Sequence, residues 1–215
     1  MDTFRFWVTD LDAIQYYLDS DQSDDDLRER LTGVSRPTPI MKAGSAFHKI
    51  LERVGKGEEV RPEWGQFKQD GHSFRLKTNI EIDTPRMVEE RIEWWTEVAG
   101  RRIQVRGRAD ALVEPNILVD YKLVSSYNAE RYMLAWQWKA SLCAVPDART
   151  FRYDAFIRRG RNPFWNITDH HQLDLHRYDE MENDVKGHIA HCLDIADMLG
   201  WTGRPKEHRK QLRKG

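Results

Sequence analysis

The sequence predicts an α/β fold built as a single domain. Runs of helical periodicity alternate with runs of period two, in the order helix, strand, hairpin, helix, strands, helix. Near the middle, two apolar runs at 105–113 and 117–123 flank the turn signal Glu114-Pro115-Asn116 and read as a β-hairpin. The 215 residues are 40% hydrophobic, enough for one sizeable core.

Residues 1–40 read as an N-terminal helical arm. LDAIQYYLDS is a short helix, and Ser23 before three aspartates reads as a capped helix start. SRPTPI then extends toward the core region, 41–200. Across 42–57, Ala46, Phe47, Ile50, Leu51 and Val54 form a helical apolar stripe. The polar, turn-rich stretch 58–85 reads as a loop or irregular insertion. Residues 86–98 alternate with period two, which fits a strand pairing with 102–113 through the AGRR turn. Gly107 within that partner strand allows close backbone approach.

A helix is expected from 129 to 144, with Tyr132 and Trp136 as packing residues. Two closing strands follow at 149–160 and 163–175, and His170-His171 on the second reads as surface. A long amphipathic helix over 177–200 runs through Met181, Val185, Ile189, Leu193, Ile195 and Met198. Residues 201–215 form a basic tail.

The chemistry concentrates in the hairpin. Residues two apart on a strand share a face, so Asp120 and Lys122 emerge together. A charged pair on an apolar strand is costly unless it is paired or binds something. If the hairpin brings Asp110 alongside, two acids and an amine surround one small volume. Acids so placed hold a hard divalent cation through oxygen, and a lysine beside it can orient a water. The plainer alternative is a pair of surface carboxylates near a turn.

Asp110, nine residues, then Asp120-x-Lys122 resembles the PD-(D/E)XK nuclease superfamily. Upstream, Gly44, His48, Leu51 and Glu52 stand in the G-x-x-x-H-x-x-L-E spacing of RecB-like nucleases. The resemblance covers roughly 42–145. It implies a mixed central sheet flanked by helices, the restriction-endonuclease-like core. It implies a DNA nuclease, most like the RecB-like and phage recombination exonucleases, working in DNA recombination or repair. One or two Mg²⁺ or Mn²⁺ ions would be held by His48, Asp110, Asp120 and the Tyr121 carbonyl. Lys122, Asp110, Asp120 and Gln137 would be catalytic, with Ser125 and Ser126 toward phosphate. Family members carry Gln-x-x-x-Tyr on the following helix. Here Ser141 stands four residues after Gln137, so the tyrosine is absent. Glu52 and Glu90 are possible accessory acids, against the plainer readings of a helix-surface charge and a rim charge.

A net charge of −1 gives no global basic signature, so DNA contact falls to local patches. Arg158, Arg159 and Arg161 with Trp165 are one such patch, suited to phosphates and a stacked base. The tail is another. The acidic run at 24–26 points away from DNA. Two cysteines, Cys143 and Cys192, cannot make a four-cysteine zinc or iron–sulfur site and suggest no disulfide framework. No run of 18 apolar residues exists and the N-terminus is no signal peptide, which reads as a cytoplasmic protein with no membrane role. A recombination or single-strand-binding partner protein and a homo-oligomer are both compatible. Two competing readings stay open: a nucleic-acid-binding or assembly protein on this fold with a degenerate site, and a different metal hydrolase built on His48, Asp110 and Asp120. Loss of Lys122 is expected to abolish cleavage and leave folding at least as good.

Overall fold

The computed structural model describes residues 3–33, 37–57, 65–77, 85 and 87–204. Its strands are β1 (Phe4–Trp7), β2 (Gln66–Gln69), β3 (His72–Leu76), β4 (Met87–Val98), β5 (Arg101–Val113), β6 (Ile117–Val124), β7 (Thr150–Arg161) and β8 (Phe164–His176). Its helices are α1 (Val8–Leu18), α2 (Asp24–Thr32), α3 (Pro39–Gly55), α4 (Ala129–Met133), α5 (Trp136–Ala144) and α6 (Met181–Leu199). The strands form one mixed sheet in the order β1-β5-β6-β7-β8-β3-β2, with β4 also on β5. Pairs β1/β5, β6/β7 and β3/β8 are parallel, and the rest antiparallel.

Two apolar clusters cover the two faces. One packs Leu11 and Ile14 of α1, Leu27 and Leu31 of α2, Ala140 and Leu142 of α5, and Val185, Ile189 and Leu193 of α6 onto Val105, Leu118, Phe151 and Tyr153. The other packs Ala43, Ala46, Phe47, Ile50, Leu51 and Val54 of α3 onto Val119, Tyr121, Phe156 and Ile167. The expected α3 stripe is therefore a buried face. Thr38 starts that helix by accepting from the Met41 N–H, with Pro39 in the first turn. Ser23 caps α2 by accepting from the Asp26 N–H, as its spacing predicts.

The central hairpin forms as expected, but its ladder is short. β5 and β6 pair only through Ala111↔Val119, Leu112↔Leu118 and Val113↔Ile117. Farther back along β5, residues 103–106 pair with β1. Since β4 takes the other edge of β5 along its length, β1 and β6 share one edge and leave Gly107–Asp110 between them. A Cβ on Gly107 would lie 3.0 Å from a Val8 methyl and 3.1 Å from Ile92. That is the close approach its position predicts: α1 leaves the sheet directly over this glycine.

Several expectations change. Phe4–Trp7, placed in a helical arm, is a strand at one end of the sheet order, and α1 behind it carries core residues. The stretch 58–85 contains the β2–β3 hairpin; four- and five-residue strands are too short for period two to show. The helix expected at 129–144 breaks after Met133 and restarts at Trp136. On α6 the buried stripe runs through His188, Cys192, Ala196 and Leu199 as well, while Met198 is exposed. Residues 201–204 belong to the folded body. Trp201 packs edge-on against Phe4 and Phe6, and Arg204 makes two bonds to the Asp10 carboxylate, 3.0 and 2.6 Å. Residues 205–215 lie outside the described part. Among the described residues no helix is long and apolar enough to cross a membrane.

Candidate active site

The site opens where β5 and β6 part. Two residues past the last rung, the Tyr121 N–H donates to the Asp110 carboxylate at 2.8 Å. That bond turns Asp110 toward β6. From the α3 side, His48 Nδ1 lies 3.5 Å from the same carboxylate oxygen. On β6, Lys122 Nζ lies 2.6 Å from Asp120 Oδ2, confirming that the two side chains share a face. Gln137 in the first turn of α5 joins them: its amide nitrogen donates to Asp120 Oδ1 at 2.8 Å and its oxygen accepts from Lys122 at 3.4 Å.

His48, Asp110, Asp120, Lys122 and Gln137 thus form one cluster drawn from α3, β5, β6 and α5. The charges act on one another. Burial pushes the Asp120 carboxyl up, the nearby Asp110 charge adds to that, and Lys122 opposes; the net shift is upward. Burial also pushes Asp110 up, but His48, the Tyr121 N–H and Lys122 outweigh it and hold the carboxyl low. Burial alone would lower His48 and Lys122. The acids beside them outweigh that and raise both.

The donor chemistry fits a hard divalent cation: two carboxylates and an imidazole on neighbouring elements. Asp120 Oδ2 is buried and faces the Lys122 ammonium at 2.6 Å. Among the described residues, however, no three His, Cys, Asp or Glu side chains close around a point where an ion would sit. Asp110 turns to His48 and Asp120 turns to Lys122.

The other expected residues are placed as follows. The Tyr121 ring packs into the α3-side core, 6.1 Å from Phe156. Glu52 is engaged by Lys56 at 2.5 Å on the α3 surface. Glu90 is an exposed residue of β4 opposite Ala109. Ser125 and Ser126 are exposed just past Lys122, and Arg159 donates to the Ser125 carbonyl at 3.0 Å, tying the basic strand end to the site. Arg158 lies over the Trp165 ring at 5.0 Å, and Arg161 is exposed beside the hairpin tip. Trp165 does not serve as a base platform. It is buried, and its N–H donates to His72 Nδ1 at 3.3 Å. The exposed aromatic at that tip is Phe164, 65% accessible. His170 is no surface residue either: it stacks on Phe156 at 4.4 Å and lies 3.4 Å from the buried Asp154.

Two residues near the site carry no sequence signal. Tyr153, opposite Asp120 on β7, holds its ring 5.8 Å from the Lys122 ammonium. Asp12 of α1 accepts from the backbone of Trp136 and Gln137. No tyrosine follows Gln137 on its helix, and Ser141 at that position is buried.

No protein-family model matches the chain, and no curated protein matches it in sequence. The chain is similar in fold to SSO0001. That solved structure has 15% identity and a TM-score of 0.54, over 95% of this chain and 81% of that one. The chain is also similar, at 11% identity and a TM-score of 0.48, to an alkaline exonuclease, LHK-Exo, from Laribacter hongkongensis; 92% of this chain and 90% of that one are covered. For LHK-Exo in complex with dAMP the TM-score is 0.47, over 91% and 89%.

Proposed function

We propose that this protein is a metal-dependent deoxyribonuclease of the PD-(D/E)XK kind, hydrolysing phosphodiester bonds with Mg²⁺ or Mn²⁺, and that it acts as an exonuclease in recombination or repair. One observation carries the reading. Asp110, Asp120 and Lys122, singled out by spacing alone, meet His48 from a separate helix in one charged cluster. Two unrelated surface carboxylates would not meet in this way.

Asp110, Asp120 and His48 are the residues that would hold the ion. When bound, it would activate a water and stabilise charge developing on the phosphate. Lys122 positions that water and offsets phosphate charge, acting from beside Asp120. Gln137 restrains Lys122 and Asp120 together, so the ammonium does not swing out to solvent. Arg158, Arg159 and Arg161 at the end of β7, with the exposed Ser125 and Ser126, offer contacts to the DNA backbone.

The test is digestion of linear and circular DNA, labelled at either end, with Mg²⁺, Mn²⁺ or chelator. Expected is cleavage with either ion, none with chelator, and sparing of closed circles. DNA binding without cleavage under every condition would leave the non-catalytic alternative in its place.

The tail supplies a separate expectation. Residues 205–215 hold Lys206, Arg209, Lys210, Arg213 and Lys214. Truncation must begin at 205, because Arg204 is part of the fold. The shortened chain should bind DNA more weakly and with a shallower salt dependence, since fewer counterions are released. Binding titrations across salt concentration measure the slope, and an unchanged slope would rule out a DNA-contacting tail.

A further inference from the structure

We propose that Asp12 is a positioning residue of the site: reaching in from α1, its carboxylate fixes the start of α5 and thereby holds the Gln137 amide on Asp120 and Lys122. Its part in cleavage rests on the nuclease reading above; the positioning itself does not.

A helix start leaves N–H groups that need acceptors. The residue at the cap of α5 is Ala135, which offers no side-chain acceptor. The acceptor comes instead from far away in sequence. Asp12 Oδ1 takes the Trp136 N–H at 2.5 Å and the Gln137 N–H at 3.2 Å. Gln15, one turn on along α1, accepts from the Trp136 indole at 3.2 Å. The backbone of Gln137 is therefore held by one acid while its side chain reaches another, Asp120, at 2.8 Å. A two-link chain runs from Asp12 through Gln137 to the Asp120–Lys122 pair.

Capping alone does not account for this choice. A serine or asparagine at 135 would cap α5 locally. Asp12 instead places a further negative charge where burial disfavours it and Asp120 repels it, offset by the two N–H groups and Lys122. The costlier acceptor has a geometric return. It ties the position of α5 to α1 and β1, so Gln137 is registered against the sheet and not merely against its own helix.

The experiment follows the Gln137 side-chain amide by NMR in the full chain, assigned by its loss in Gln137→Ala, beside kcat and KM on DNA. In Asp12→Ala the Gln137 signals should move toward those of a free amide. The kcat should fall about 10–100-fold, as for other residues that orient a site group, with KM within about twofold. Asp12→Asn retains an acceptor oxygen and should recover most of the lost turnover. Asp12→Ala should add little to Gln137→Ala, because both break one chain. Gln15→Ala cuts the other α1–α5 contact and should leave the Gln137 signals in place. Unmoved signals in Asp12→Ala, or additive losses in the double variant, would overturn the proposal. If Asp12→Ala does not fold, Asp12→Glu oversteps the N–H groups by one methylene and must move the same signals. A wild-type protein that cleaves no DNA would remove the nuclease reading, and the Gln137 signals would still decide the role of Asp12.

Discussion

Lys122→Ala should cleave DNA at least about a hundredfold more slowly than wild type, the effect of removing one preorganised charge from a site, ~3 kcal/mol. The loss should fall on kcat more than on KM, because the ammonium acts when the water attacks and the phosphate gains charge. The structure reverses one expectation for this variant, that relieving a crowded charge leaves folding unharmed. Lys122 is the ionic neighbour of a carboxylate that is itself buried. Without it, Asp120 is a buried charge whose hydrogen-bond partner is the Gln137 amide, and the variant should lose on the order of 2–3 kcal/mol near neutral pH, somewhat below the cost of breaking a fully buried pair because Lys122 is partly exposed. Asp120 already titrates above its ordinary value, and losing the ammonium raises it further. A raised carboxyl lowers stability above its folded pKa and ceases to do so as it takes up a proton. The gap between variant and wild type should therefore narrow as pH falls from 7 toward 4. Thermal melts across that range, beside nuclease assays, separate the two effects; full activity would end the proposed mechanism.

Arg204→Ala should be strongly destabilising. The guanidinium bonds both oxygens of Asp10, and the two side chains are 11% and 3% exposed. Asp10 also accepts from the Trp7 N–H at 2.8 Å, at the join between β1 and α1. Removing the arginine takes a doubly bonded cation from a buried carboxylate, at a cost of up to about 3–5 kcal/mol. Denaturant melts should show the midpoint shift. A change below about 1 kcal/mol, the worth of an exposed pair, would mean that Asp10 finds water or another donor.

The fold class and the centre of the site were legible because both are local. His48 sits on the α3 helix, one residue beyond a buried stripe of ordinary spacing, and Asp120 and Lys122 share a face by strand geometry alone. What was illegible depends on contacts distant in sequence. Phe4–Trp7 is too short to show a period, and nothing near it announces a partner a hundred positions on. Asp12 reads as one acid among many until α5 is seen to begin beside it. The break before Trp136 has no proline or glycine to mark it, because the acceptor that starts the second helix lies on α1. Trp165 and His170 look like surface chemistry in a basic or polar stretch, yet β8 turns both inward.

The pairing of Phe4 with Ile103 also sets an order of events. A parallel strand contributed by the first residues cannot dock until β5 exists, and the loop it closes spans roughly a hundred residues, a slow step by its contact order. Until then the edge of β5 at 103–106 stays open, a template for stray strands. Asp12 travels with β1, so until this step the start of α5 lacks its acceptor. Refolding followed by stopped-flow fluorescence should show bulk structure returning first, with activity lagging until the N-terminal strand has docked.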